Sequence, residues 1–227
     1  MSSEIKVSSV KAKDGTAGIS IADSTGNVSL SGSLSAGTLD SSVVFPSGHV
    51  IQTEQYFTGE TFTQTIDEAV STSGNYAVVT DGTNEFKKSI TSKKTNSKFL
   101  IALSIGCYLP HNTGSTHGSS GRILRDISGG TSNVSVGDST SSHTPQGAFY
   151  APAPNINYGN AQSISWQYLD SPDVSAGTTI TYKLAIMPHS SGGYTIYFNY
   201  HTSGSTSGNN GYQASSASSL LIQEIAV

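Results

Sequence analysis

The stretch Lys98–Leu109, KFLIALSIGCYL, is apolar at alternate positions on both faces of an extended strand. One face carries Phe99, Ile101, Leu103, Ile105 and Cys107, and the other carries Leu100, Ala102, Ser104 and Gly106. A strand without a charged face belongs in the interior of a sheet, with a neighbour at each edge. This stretch therefore predicts a central strand, and the rest of the chain has to provide its neighbours.

Alternation with a period of two residues recurs along the second half of the chain. Clear examples are Ile164–Tyr168, Ile180–Ile186, Ile196–Tyr200 and the tract SLLIQEIAV. The connections between them are rich in turn residues, and no stretch shows convincing helical periodicity. The sequence predicts an all-β protein, in which residues 45–227 form an antiparallel β-sandwich of jelly-roll type.

Residues 1–44 are far poorer in apolar side chains. The apolar positions of three short predicted strands are Ile5, Val7, Val10, Ile19, Ile21, Val28 and Leu30. Each strand offers too few of them to build a core alone, since isolated hairpins are marginally stable in water. The segment is either disordered or buried against copies of itself. We expect the second: an extended attachment or shaft segment whose apolar residues make the contacts of a homotrimer.

The boundary between the two parts is predicted within Leu39–Gln52, LDSSVVFPSGHVIQ. Pro46 fixes its own φ angle, and Gly48 permits conformations that other residues avoid. Apolar residues at Val43–Phe45 precede this break, and aromatic and long aliphatic side chains become common after it. The predicted domains are therefore residues 1–44 and residues 45–227.

Composition and charge exclude several classes of partner and site. Only 11% of residues are charged, against about 25% in ordinary soluble proteins. The net charge of −4 argues against nucleic-acid binding, which needs a basic face. Cys107 is the only cysteine, which predicts a buried thiol and no intrachain disulfide. We expect neither a signal peptide nor membrane insertion, because no apolar run is long enough.

The sequence contains no recognisable catalytic or metal-binding motif. There is no GxSxG nucleophile elbow, and no pair of carboxylates stands out as a glycosidase would require. His111 and His117 share one loop but lack further ligands at metal-binding spacing. Asp126 and Asp170 are interpreted as turn and ion-pair residues. We expect a protein that is not an enzyme and has no metal or other cofactor.

Tyrosines in or beside the polar loops are the candidate receptor-binding residues. They are Tyr150, Tyr158, Tyr194 and Tyr212, and they stand among Asn, Ser and Gly. Tyrosine offers a flat apolar ring with a polar tip, a combination suited to sugar or protein surfaces. The alternative is that these rings pack the loops onto the domain or between subunits. Trp166, Tyr182, Phe198 and Tyr200 lie in alternating strands and are predicted in the core or at a subunit interface.

Several tracts of the chain follow the pattern of one protein family, in the same order. They are MSSEIKVSSV, TLDSSVVFPSGHVIQ, SKFLIALSIG, RILRDIS, VSVGDS, SISWQYLDSP and LLIQEIAV. In these tracts the chain resembles the short fibre or tail-fibre-like structural proteins of marine tailed bacteriophages, those infecting cyanobacteria and abundant alphaproteobacteria. The resemblance implies a trimeric virion component with an N-terminal attachment segment and a distal β domain. It implies no catalytic residue.

The sequence thus leads to one expected function and two alternatives. We expect a virion fibre or spike protein, made in the host cytoplasm, that binds other virion proteins through its N-terminal segment. Its β domain would contact a glycan or protein of the host surface, with affinity raised by multiple copies. One alternative is a head or tail decoration protein that stabilises the particle without binding a receptor. The other is a tail enzyme that trims polysaccharide.

Overall fold

The computed structural model describes residues 9–11, 17–21, 28–30, 46–66, 76–108, 118–134, 148–152, 161–188, 194–199 and 216–227. All strand pairings within these ranges are antiparallel, and no residue in them is helical. The prediction of an all-β, antiparallel protein is confirmed. In chain order the strands are β1 (Ser9–Lys11), β2 (Ala17–Ile21), β3 (Val28–Leu30), β4 (Val50–Thr58), β5 (Phe62–Ile66), β6 (Ala77–Val78), β7 (Lys87–Thr91), β8 (Lys98–Tyr108), β9 (Gly118–Ile127), β10 (Gly130–Val134), β11 (Phe149–Pro152), β12 (Ala161–Asp170), β13 (Thr179–Pro188), β14 (Tyr194–Phe198) and β15 (Ser218–Ile225).

The chain divides into two compact units, Met1–Val44 and Phe45–Val227. In the first unit, β1, β2 and β3 form a three-stranded antiparallel sheet in that order. The pairing of β1 with β2 is irregular between Val10 and Lys11. Strands of three to five residues make a small sheet, which by itself has little apolar surface to bury.

The second unit contains two six-stranded sheets. In one of them, β9 and β13 pair along most of their length. The other edge of β9 is shared by β10 and β11, and the other edge of β13 is shared by β7 and β6. At each side of this sheet, two short strands that follow one another in sequence therefore take the place of one long strand. They are β10 and β11 beside β9, and β6 and β7 beside β13.

The second sheet is arranged in the same way around β8. One edge of β8 pairs with β12, and the other pairs first with β15 and then with β14. Beyond these, β4 pairs with β15 and β5 pairs with β14. The prediction that Lys98–Leu109 holds a central strand is confirmed. In this position both rows of its backbone N–H and C=O groups are paired, whereas an edge strand would leave one row unpaired.

The two sheets share one hydrophobic core. The inward side chains of β8, from Phe99 to Cys107, are at most 3% exposed, and they meet inward residues of β13 and β9. The rings of Phe99 and Tyr182, from different sheets, lie 6.5 Å apart. Each fully buried aliphatic or aromatic side chain contributes about 1.5–3 kcal/mol. Tyr182 and Phe198 belong to this core as expected; Trp166 is partly buried against it, and Tyr200 lies outside the described residues.

The turn at Asp81–Asn84 joins β6 and β7, which pair with successive parts of β13. The Asp81 carboxylate accepts hydrogen bonds from the amides of Asn84 (2.6 Å) and Thr83 (2.9 Å), and these bonds lower its pKa. Sequence pattern predicts a hairpin between the flanking strands, but they pair only at the bridge between Thr80 and Glu85. Beyond it, β6 and β7 both pair with β13, because that strand has an edge of 10 residues.

Candidate interaction surfaces

The four tyrosines predicted to bind a receptor are not brought together by the described backbone. Tyr150 lies within β11, opposite Ser120 of β9. Tyr194 begins β14, opposite Ile66 of β5, in the other sheet. Tyr158 and Tyr212 lie outside the described residues. A receptor site made from these residues stays a prediction.

The apolar residues predicted to hold a trimer together fall at matching positions in the small N-terminal sheet. Val10 is opposite Ile19, and Ile19 is in turn opposite Leu30, so these three form one row across the sheet. Ile21 and Val28 form another row. Ile5 and Val7 lie outside the described residues. The register collects the predicted contact residues in two rows, and their role in a trimer stays a prediction.

The large hydrophobic side chains that are exposed concentrate on one sheet of the second unit. Where the structure describes side-chain exposure, those more than about a third exposed are Val50 (48%), Phe57 (65%), Tyr168 (39%), Leu169 (45%) and Val227 (51%). Four lie on β4 and β12, the two edge strands of the β8 sheet, and Val227 follows β15. Tyr168 lies in the inward row with Ile101, whereas Val50, Phe57 and Leu169 share the outer face of the sheet. Single exposed apolar residues are ordinary, but several on one face indicate an interaction surface.

The outward positions of this sheet form a surface that we call the low-charge face. Successive rows across β4, β15, β8 and β12 are Phe57–Ser219–Ser104–Ser165, Gln55–Leu221–Ala102–Gln167 and Thr53–Gln223–Leu100–Leu169, and a fourth row across the first three strands is Val50–Ile225–Lys98. Lys98 is the only charged residue in these rows. The Gln223 amide donates to Thr53 Oγ1 at 3.4 Å, which shows two outward neighbours in contact. The face therefore combines aliphatic side chains with neutral hydroxyls and amides.

The outer surface of the other sheet has the opposite character. The Lys183 ammonium lies 2.7 Å from an oxygen of Asp126 and 3.3 Å from an oxygen of Glu85, which also pairs with Lys87 at 2.9 Å. The hydrogen bond from Lys183 lowers the pKa of Asp126 and raises the pKa of the lysine. Two pairs of hydroxyl groups on this surface are hydrogen-bonded, Ser89 with Thr181 and Thr91 with Thr179. The Arg122 guanidinium lies over the Tyr76 ring, 3.4 Å from its centre.

An aromatic pair lies on β12, at the edge of the β8 sheet. The rings of Trp166 and Tyr168 are nearly parallel, with centroids 6.1 Å apart and an interplanar angle of 19°. Trp166 packs against the core, whereas Tyr168 is 39% exposed. The alternating strand predicts Trp166 in the core or at a subunit interface, and its pairing with Tyr168 is not among the predictions. The alternation of SISWQYLD, which puts both rings on one face of the strand, is the signal that identifies the pair.

A buried ion pair lies beside this aromatic pair. Asp170 ends β12 and is 5% exposed; one guanidinium nitrogen of Arg125 contacts its two oxygens at 2.7 and 2.9 Å. The Tyr182 hydroxyl donates to the same carboxylate at 2.8 Å. Burial, followed by the negative charge of Asp170, raises the pKa of Tyr182. Asp170, interpreted with Asp126 as a turn or ion-pair residue, thus forms an ion pair with Arg125 that joins the two sheets.

The signal for the low-charge face lies in KFLIALSIGCYL, which is apolar on both faces and predicts a strand inside a sheet. β8 is central as predicted, and its neighbour β15 is also paired on both sides, yet Leu100 of β8 and Leu221 of β15 point outward and are only partly buried. Being central in a sheet covers the edges of a strand, and a second layer is needed to cover each face.

Neither a membrane-spanning helix nor a metal-binding cluster is found in the part of the chain that the structure describes. No helix in those residues is long and apolar enough to span a bilayer. Nor do they contain a group of three or more His, Cys, Asp or Glu side chains placed to hold a metal ion. No protein-family model matches the chain, and no curated protein is similar to it in sequence.

Proposed function

We propose that this chain is a non-enzymatic structural protein of a virion, a fibre or spike that assembles as a homotrimer. In this proposal Met1–Val44 is the attachment or shaft segment. Residues 45–227 form a jelly-roll sandwich that contacts a glycan or protein of the host surface. The proposal takes its virion context from the resemblance to marine phage fibres and its architectural support from the strand order of the second unit.

The strand order is the observation that carries the proposal. Two strands that follow one another in sequence and lie end to end in a sheet are counted here as one strand position. In chain order the eight positions are 1 (β4/β5), 2 (β6/β7), 3 (β8), 4 (β9), 5 (β10/β11), 6 (β12), 7 (β13) and 8 (β14/β15). One sheet has the order 5-4-7-2, and the other has the order 6-3-8-1. Two four-position antiparallel sheets in this order support a jelly roll, an architecture frequent in viral capsid and lectin domains.

The N-terminal unit supports the assembly part of the proposal. Its three strands supply 11 residues, so a single copy can bury very little apolar surface. The rows Val10–Ile19–Leu30 and Ile21–Val28 become a continuous core only when more surface is added to the sheet. Association of three chains provides that surface without requiring a larger domain.

Location in the particle tests the proposal directly. Antibodies against the recombinant chain should label the tails or spikes of the source phage in electron microscopy, and they should block adsorption to host cells. Labelling without any effect on adsorption, together with particles that lose stability when the protein is missing, would favour the decoration role. Absence of the chain from purified particles would overturn the proposal.

Two solution measurements complete the test. Light scattering on the full-length chain should give the mass of a trimer, and a monomer at all concentrations would remove the assembly claim. Purified protein should release no oligosaccharide from host envelope glycans. Release that persists after further purification would replace the adhesion proposal with the polysaccharide-trimming alternative.

A further inference from the structure

We propose that the low-charge face of the β8 sheet is the surface through which copies of this chain associate. The inference rests on the proposed homotrimer and deepens it, because it assigns subunit contacts to the Phe45–Val227 unit as well as to the N-terminal strands. The partner is a second copy of the same chain. Phe57, Leu221 and Leu169 are the residues expected to matter most.

The first step is that this face exposes apolar surface which the other outer face does not. Phe57 and Leu169 mark its two edge strands, and Leu221 and Leu100 lie between them on β15 and β8. In the β13 sheet, outside β11, no large hydrophobic side chain whose exposure the structure describes is more than about a third exposed. Contiguous apolar surface on one side of a domain is typical of a protein contact.

The second step is the distribution of charge, which selects the partner. The chain carries a net charge of −4, so two copies repel each other on average, and a face that presents few charges adds least to this repulsion. Lys98 is the only charged residue in the four rows, whereas Lys87, Lys183 and Asp126 occupy the other outer face. Copies can therefore approach through this face at the lowest electrostatic cost. A foreign partner recognised by charge would find no complementary pattern on it.

The third step is that the polar groups of the face are complementary to themselves. Gln55 and Gln167 stand at the two ends of the row that also contains Leu221 and Ala102. Amides and hydroxyls both donate and accept hydrogen bonds, so a second copy brings the partners that the first copy needs. A surface built only from carboxylates or only from ammonium groups could not pair with itself in this way.

The fourth step concerns the edge of the sheet at β12. Within the part of the chain that the structure describes, the 10 residues of β12 pair along one edge only, with β8. Natural edge strands are usually protected by lysine, proline or a bulge. The strand AQSISWQYLD has no lysine or proline, and Asp170, its one charged residue, is buried. A neighbouring copy beside Leu169 would cover both this edge and the apolar surface next to it.

The test introduces a charge on the face in the full-length chain. Phe57→Lys and Leu169→Lys each add an ammonium at an exposed position, where the monomer should fold normally. Ser89→Lys adds the same charge at an exposed position on the opposite outer face, in one row with Thr181 and Asp126, and is the matched control. Sedimentation should show trimers for the wild type and Ser89→Lys, with association weakened by at least about 100-fold in the two face variants.

The outcomes separate this inference from the proposed function. Trimers that survive both face substitutions would overturn the low-charge face as the contact and leave assembly through Met1–Val44 intact. A wild-type monomer at all concentrations would overturn the homotrimer itself. If a face variant fails to refold, Leu169→Cys is used in its place and is treated with a short bis-maleimide crosslinker. Ser89→Cys, treated in the same way, is the control. Crosslinked chains are expected only for the former, and equal or absent crosslinking in both would count against the inference.

Discussion

Glu224 has a carboxylate that is fully buried on β15. Its oxygens accept hydrogen bonds from the backbone amide of Lys93 (2.9 and 3.0 Å) and from that of Lys94 (3.0 Å). The Ser92 hydroxyl (3.2 Å) and the Gln52 side-chain amide also donate to it. A buried charge is tolerated only with such donors, so this residue fixes the turn after β7 to the C-terminal strand.

Replacing Glu224 by glutamine should destabilise the protein although the side chain keeps its shape. The new NH₂ group faces backbone donors that it cannot satisfy, at a cost of about 1–3 kcal/mol per orphaned group. We expect the free energy of unfolding in urea to fall by about 2–4 kcal/mol. Glu60→Gln, the same change at an exposed carboxylate, should stay within about 0.5 kcal/mol. Equal effects of the two substitutions would contradict this account.

Cys107 should be chemically silent until the protein unfolds. The side chain is 3% exposed, and burial raises the pKa of its thiol to about 12. At pH 8 we expect a thiol reagent to label it only in denaturant. An unfolded thiol ionises near pH 8.5, before the native one, so the free energy of unfolding should fall as pH rises above about 9.

The slope of that fall identifies the thiol as its source. One proton lost only from the unfolded state gives up to about 1.4 kcal/mol per pH unit. Tyr182, whose pKa is also raised, adds a loss of the same sign at higher pH. Cys107→Ala should therefore have a shallower slope than the wild type between about pH 9 and 10. An unchanged slope would show that Cys107 does not ionise on unfolding in this range.

Turning from single residues to elements, β8 passes very close to the chain that enters β15. A Cβ placed on Gly106 would lie 1.8 Å from the Ser216 hydroxyl oxygen and 2.5 Å from the Ser216 Cβ. The Gly106 amide donates to Ser218 Oγ (3.1 Å), and the Gly106 carbonyl accepts from the Asn199 backbone amide (2.8 Å). Only glycine fits opposite Ser216, because the Ser216 side chain occupies the space that a Cβ at residue 106 would need.

Gly106→Ala should therefore cost about 1–3 kcal/mol of unfolding free energy, because the added methyl group overpacks a rigid crossing. Gly130→Ala in β10 is the matched control. Its added Cβ would meet only the Ile127 carbonyl oxygen at 3.5 Å, an ordinary contact, and we expect little change. Thermal unfolding followed by circular dichroism measures both. The contact is misassigned if the double variant Gly106→Ala, Ser216→Gly is no more stable than Gly106→Ala alone.

For the protein as a whole, the two sheets of the second unit are linked by ion pairs at both open edges. Arg125 of β9 pairs with Asp170 of β12, and their side chains are 21% and 7% exposed. On the other side, Lys88 of β7 pairs with Glu54 of β4 at 2.9 Å, with exposures of 32% and 41%. The shortest distances within the two pairs are similar, at 2.7 and 2.9 Å, but the two acidic side chains differ greatly in their access to water.

This difference in burial should separate their energetic effects. Arg125→Gln leaves the Asp170 carboxylate buried without its cation, and we expect a loss of about 3–5 kcal/mol in the free energy of unfolding. Lys88→Gln removes a pair that water already screens, and we expect less than about 1 kcal/mol. Added salt should weaken only the second pair. Comparable losses in the two variants would mean that burial does not govern these contacts.

What could be read from the sequence is local. The alternation in Lys98–Tyr108, in Thr179–Pro188 and in Ser218–Ile225 follows from the period of two residues in an extended chain, so strand class needs no knowledge of partners. The same holds for the turn at Asp81, where the side chain bonds to amides two and three residues away.

Only the tertiary structure decides which strands meet and which apolar face turns inward. Arg125 and Asp170 are 45 residues apart, and Tyr150 and Tyr194 look alike in sequence but fall in different sheets. β8 is apolar on both sides, so its pattern cannot say that Phe99 packs inside while Leu100 points outward. That choice depends on the summed burial of strands distant along the chain, a quantity that no short window of sequence contains.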